Sequence, residues 1–94
     1  MFARVQTVHQ AGEKLNEMTT IARQQLPAAQ EQPGFRGFQY LIDSDNEKAL
    51  VISFWETEAD VRQVEANVAL RERTAAAAGI ESPPSELFEV ALQW

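Results

Sequence analysis

Two apolar runs rich in strand-forming residues, Phe35–Ile42 (FRGFQYLI) and Lys48–Trp55 (KALVISFW), stand with only Asp43, Ser44, Asp45, Asn46 and Glu47 between them. Turn formers in so short a connection make the pair an antiparallel hairpin. A two-stranded hairpin has marginal stability in water, so this one must pack against other elements. Its ends are also marked. Pro33-Gly34 closes whatever precedes it, and Thr57 offers a helix N-cap with Glu58 and Asp60 in the first turn, where the helix dipole favours negative charge.

The flanking segments follow from periodicity. Phe2–His9 (FARVQTVH) alternates and carries β-branched residues, which reads as strand one, and Gly12 follows its end. From about Glu13, Leu15, Met18, Ile21, Ala22 and Leu26 recur at three- and four-residue spacing, an amphipathic helix. Pro27 removes a backbone donor and is expected to kink or restart that helix, leaving Ala28–Gln32 as a last turn. After Thr57 a second helix shows Val61, Val64, Val68 and Ala69, runs through Ala75–Ala78 and ends at Gly79. Glu81-Ser82-Pro83-Pro84 reads as a rigid linker, and Glu86–Trp94 (ELFEVALQW) alternates as strand four. The order β-α-β-β-α-β is that of the ferredoxin-like α+β fold, a four-stranded antiparallel sheet with both helices on one face. Residues 1–94 are expected to form one such domain.

Strand parity adds a prediction about assembly. If Ile42 pairs near Lys48, one face carries Phe38, Tyr40 and Ile42 with Leu50, Ile52 and Phe54, joined by Phe88, Val90, Leu92 and Trp94. The other carries Phe35, Gly37, Gln39 and Leu41 with Ala49, Val51, Ser53 and Trp55, joined by Leu87, Glu89, Ala91 and Gln93. Two helices cover one face only, and burial stabilises by roughly 25 cal/mol per Å² of apolar surface, so a second sheet is the natural cover for the other. The expected partner is a second copy, and parity by itself leaves open which of the two faces meets it.

Composition narrows the chemistry. With no cysteine there is no thiol nucleophile, disulfide or cysteine-ligated metal, in keeping with a reducing cytoplasm. A net charge of −6 with scattered basic residues argues against nucleic acid and anionic membrane surfaces as partners. The first ten residues lack a signal-peptide pattern, and no apolar run is long enough to span a membrane; the expectation is a soluble cytoplasmic protein. His9 is the only histidine, which makes neither a metal site nor a triad. Asp43-x-Asp45-x-Glu47 opens like a calcium loop, but Lys48 stands at the glycine position and Phe54 at the twelfth, so it reads as a solvated turn. Tyr40 reads as an interface or core residue, and Glu89 as a rim or salt-bridge carboxylate. No metal site and no bound cofactor are expected.

With Pro33-Gly34-Phe35, the hairpin, and Trp55-Glu56-Thr57-Glu58, the chain resembles the antibiotic biosynthesis monooxygenase-like family of dimeric α+β barrels. The resemblance spans all 94 residues in element order, its specific part being the turn and the strand end. It implies a homodimer with a pocket in each subunit between sheet and helices, lined by Trp55, Ser53, Gln39, Val51 and Val61, and it places the helices on the Trp55 face, so that the subunits meet through Phe38, Tyr40, Leu50, Ile52 and Phe54. Family activities include cofactor-independent oxygenation of phenols or quinols and haem degradation. Val51 and Val61 stand where the polyketide oxygenases keep Asn and Tyr, and Val64 and Thr74 near where the haem degraders keep Trp and His. The implied function is binding of a small apolar or aromatic molecule, with cofactor-independent monooxygenation as the associated reaction and no catalytic residue identified. A non-catalytic binding or structural dimer module is the alternative.

Overall fold

The computed structural model describes residues 1–10, 12–66 and 84–93. Its elements are β1 (Phe2–His9), α1 (Gly12–Gln30), β2 (Phe35–Asp43), β3 (Lys48–Trp55), α2 (Glu58–Ala66) and β4 (Ser85–Glu89), with every neighbouring strand pair antiparallel in the sheet order β2-β3-β1-β4. This is the expected ferredoxin-like topology, with the helices packed on one face. The predicted continuation of the second helix through Val68, Ala69 and Ala75–Ala78 to Gly79 lies outside the described residues, as do Glu81–Pro83 of the linker and Trp94.

Two local expectations need correction. Of the two outcomes expected at Pro27, a kink or a restart, the restart does not occur, and α1 runs on to Gln30. The proline sits in the last turn, so only the Arg23 carbonyl loses its donor, and Arg23 is exposed to water. The final strand is also shorter than its alternation suggested, ending at Glu89 rather than continuing through Gln93. Its partner strand runs out: Phe2 pairs with Glu89, and a last bond from Val90 N to Met1 O of 2.9 Å closes the ladder. An alternating sequence makes a strand only where there is backbone to pair with.

The main correction concerns which face β2 presents. Ile42 pairs with Ala49 and Asp43 with Lys48, so even positions of β2 meet odd positions of β3. Asp43 closes the turn from within the strand, its carboxylate accepting from Asn46 N at 3.3 Å and Asn46 Nδ2 at 2.7 Å. The loop is therefore Ser44–Glu47, with Glu47 left-handed at φ 51°. A shift of one residue moves every side chain of a strand to the other face. Phe38, Tyr40 and Ile42 accordingly lie with Val51 and Ser53 on the helix side, not with Leu50, Ile52 and Phe54. Gln39 and Leu41 change places with them, and Gln39 sits opposite Ile52 on the helix-free face. At the other end a bulge between Phe35 and Gly37 restores Phe35 to the side of Trp55.

Two apolar clusters hold the helices to the sheet. Under α1, Val8 and Ala49 meet Leu15 and Met18, with Ile21, Tyr40 and Val51 at the margin. The Tyr40 hydroxyl donates to the Leu15 carbonyl at 3.1 Å, joining an edge strand to the helix above it. Under α2, Trp55 packs with Val61 and Val64, and Phe2 and Phe35 complete the group. The start of α2 is fixed by a reciprocal cap: Asp60 N donates to Thr57 Oγ1, while Thr57 N and Oγ1 donate to the Asp60 carboxylate at 3.1 and 2.8 Å.

That cap also explains the Pro33-Gly34-Phe35 turn. Gly34 has φ +78°, and a Cβ placed there would fall inside the Asp60 carboxylate. Its carbonyl accepts from Glu56 N at 2.8 Å, tying the turn to the residue between Trp55 and the cap. Glycine is required twice, by the backbone conformation and by the space the cap occupies.

Candidate functional site

The β1–β3 register orders the helix-side face as a series of paired residues. Phe2 lies opposite Trp55, Arg4 opposite Ser53, Gln6 opposite Val51 and Val8 opposite Ala49. The first pair belongs to the cluster under α2 and the last to the cluster under α1. Between them runs a polar band, Arg4, Ser53 and Gln6, on a face otherwise built for apolar packing. The candidate site is this band with its two apolar walls.

Trp55 is 3 % exposed, its ring wedged against Val61 and Val64 and met edge-on by Phe35 at 5.5 Å between centroids. Its Nε1–H donates to Ser53 Oγ at 2.8 Å. The predicted pair Trp55 and Ser53 is therefore a single unit in which the serine orients the indole and takes up its only donor. With its donor taken and its ring buried, Trp55 can present a ligand only the edge of an apolar wall. Val51 shares this face, and Val61 is 1 % exposed within the Trp55 cluster. Gln39 is not brought to this group, because the register places it on the far side of the sheet. Val64 is buried against Trp55, and Thr74 lies outside the described residues.

Sequence reading missed the most unusual member of the band. Arg4 is the one buried charged side chain among the described residues, at 9 % exposure. Its Nε donates to Glu65 Oε1 on α2 at 3.3 Å, and the same oxygen accepts from Ser85 Oγ on β4 at 2.7 Å. A signal was present: in Phe2–His9, Arg4 shares parity with Phe2 and Val8, so the alternation already put a cation on an apolar face. Burial of a guanidinium is tolerated only with a carboxylate in reach, which Glu65 supplies. Of the remaining candidates, His9 is exposed at the end of β1, and Tyr40 has its hydroxyl engaged with α1, where burial raises its pKa above the usual phenol value. Hydrogen bonds from Asn46 hold the Asp43 carboxyl below its usual range, as suits a turn-closing acceptor. Among the described residues no group of three His, Asp or Glu side chains comes together to hold a metal ion, and no helix is long and apolar enough to cross a membrane.

Comparison with solved structures gives close agreement of fold. The haem degrader MhuD of Mycobacterium tuberculosis, solved with two haems in its active site, matches over 100 % of this chain and 99 % of its own at TM-score 0.73 and 23 % identity. SnoaB of Streptomyces nogalater, a cofactor-independent oxygenase, matches over 98 % of this chain and 92 % of its own, at TM-score 0.70 and 21 % identity. A conserved protein from Methanosarcina mazei matches over 93 % and 87 % at TM-score 0.67 and 12 % identity. No curated protein matches the chain in sequence. At these identities the structures speak for the fold alone. The family model of the antibiotic biosynthesis monooxygenases, in contrast, matches the sequence itself over residues 1–76, and with it the Pro33-Gly34-Phe35 turn and the capped strand end, so the chain belongs to that family.

Proposed function

We propose that this protein is a homodimer binding one small apolar or aromatic molecule per subunit on the helix-side face of its sheet, and that the associated reaction is cofactor-independent oxygenation of a phenol or quinol. The observation that carries the binding reading is the polar band between two apolar clusters. Sites for small molecules are mostly apolar with a few fixed polar groups, and Arg4, Gln6 and the Ser53–Trp55 unit are such groups between such walls. Ser53, Trp55, Val51 and Val61 would contribute the lining near α2.

The dimer reading draws on the opposite face. Val5, Leu50, Ile52, Phe54 and the half-exposed Phe88 lie there, and among the described residues no helix covers them. A second copy packed face to face would cover them, forming the closed barrel of two sheets.

For the reaction, phenol plus dioxygen gives quinone plus water. The substrate anion supplies the electrons, so the protein's part is to position the ring and keep water away from it. The family and the fold shared with SnoaB support this class of chemistry without naming a substrate.

The test is tryptophan fluorescence titrated with dihydroxynaphthalenes, alongside oxygen uptake measured above the spontaneous rate. Binding should shift or quench wild-type emission, and Trp55→Phe should lose most of that response. No response in the wild type, or an unchanged one in Trp55→Phe, removes Trp55 from the site; binding without oxygen uptake leaves a binding module and ends the oxygenase reading.

A further inference from the structure

We propose that Arg4 is the anion-recognising residue of this site, and that the ligand carries an acidic oxygen, a carboxylate or phenolate, on its apolar or aromatic body. This deepens the binding reading above and rests on it. The geometry points to Arg4 first by place: it lies opposite Ser53 and one pair along from Phe2 and Trp55, on the face between the two clusters.

The character of the Arg4–Glu65 pair supports the same assignment. The two partners are unequally buried, with side-chain exposures of 10 % for Arg4 and 37 % for Glu65. The cation thus belongs to the floor and the carboxylate to the rim. Their contact of 3.3 Å is long for a charge-assisted bond, whereas Ser85 holds the same Glu65 oxygen at 2.7 Å. Glu65 is anchored to β4 independently of Arg4, so an arriving anion can take up the guanidinium without leaving that oxygen bare. Both residues make further contacts in the fold, and exchange or sharing of one partner among several is the event proposed.

Stability alone is a weak reason for the pair. A buried ion pair is often no better than apolar side chains of similar volume, because desolvation offsets the attraction. A planar guanidinium that is always charged is, however, well matched to a carboxylate or phenolate oxygen delivered beside an aromatic wall. The clusters would select the body of the ligand, and Arg4 its acidic group.

The test compares 2-naphthoate with 2-naphthamide, which share shape and differ in charge, by calorimetric titration of the whole protein. Wild type should bind naphthoate at least tenfold more tightly than the amide. Arg4→Met should reduce that preference to within twofold by weakening naphthoate far more than the amide, whose carbonyl loses only a neutral acceptor contact. Glu65→Gln, which keeps the shape and the Ser85 contact but removes the competing charge, should tighten naphthoate severalfold and leave the amide alone; it also serves if Arg4→Met fails to fold. Equal binding of the two probes by wild type overturns the role of Arg4 and leaves the binding reading standing. An undiminished preference in Arg4→Met, or no effect of Glu65→Gln, likewise overturns it. Binding of neither probe removes the small-molecule site and this inference with it.

Discussion

The same four strands build two very different faces, one crossed by a polar band and roofed by helices, the other carrying Val5, Leu50, Ile52, Phe54 and Phe88 with no helix over them among the described residues. On the helix side Tyr40, Trp55 and Arg4 each have a partner within their own chain, the Leu15 carbonyl, Ser53 and Glu65 in turn. The opposite side offers apolar area instead, with Phe88 50 % exposed. In the proposed reading the first face gives specificity and the second area for assembly.

The comparison breaks most visibly on the helix-free face. Ile52→Lys should leave a folded monomer at micromolar concentration in sedimentation, since an unpaired ammonium at the centre of the interface costs about 4 kcal/mol or more. A dimer that survives this change means the apolar face is not what joins the subunits. On the helix side, Leu15 is fully buried, and Leu15→Ala should lower unfolding free energy by about 3 kcal/mol. Denaturant unfolding, extrapolated to a common protein concentration, would report this, with the dimer otherwise preserved; dissociation without loss of subunit stability would contradict the division of labour.

Tyr40 gives the smallest and most discriminating effect. Tyr40→Phe removes the bond to Leu15 and should cost about 1 kcal/mol. Burial raises the folded pKa of Tyr40 above its unfolded value near 10. The folded state therefore favours the neutral phenol, a stabilisation present below the unfolded pKa and lost as pH rises through the folded one. Wild type should weaken above about pH 10 more steeply than Tyr40→Phe, and parallel pH profiles would place the Tyr40 hydroxyl in water.

Element order was legible because every signal was local: alternation in Phe2–His9 and Lys48–Trp55, periodicity from Leu15 to Leu26, and Thr57 as a cap. The two faces were legible for β3 and β4, where Trp55 and Phe88 fall on the expected sides. They were not for β2, because its parity depends on whether Asp43 belongs to the turn or to the strand. Asp43 does both, pairing with Lys48 while its carboxylate closes the loop. The same ambiguity put Gln39 with Trp55 and Tyr40 with Phe54. Arg4 was overlooked for another reason. Its pairing with Glu65 joins residues 61 positions apart, and only the packing of α2 on β1 brings them together.

The shared space of Gly34 and Asp60 has a consequence for how the chain can vary. Because the turn before β2 and the cap after β3 interlock, with Glu56 bonded back to Gly34, the hairpin is fastened at its far end. Which side chains of β2 look toward the helices is then held from both ends, by the bulge beside Gly34 and by Asp43 at the loop. Gly34 and Asp60, twenty-six positions apart, therefore constrain each other, and a smaller residue at 60 would relieve the crowding at 34 but not its left-handed backbone.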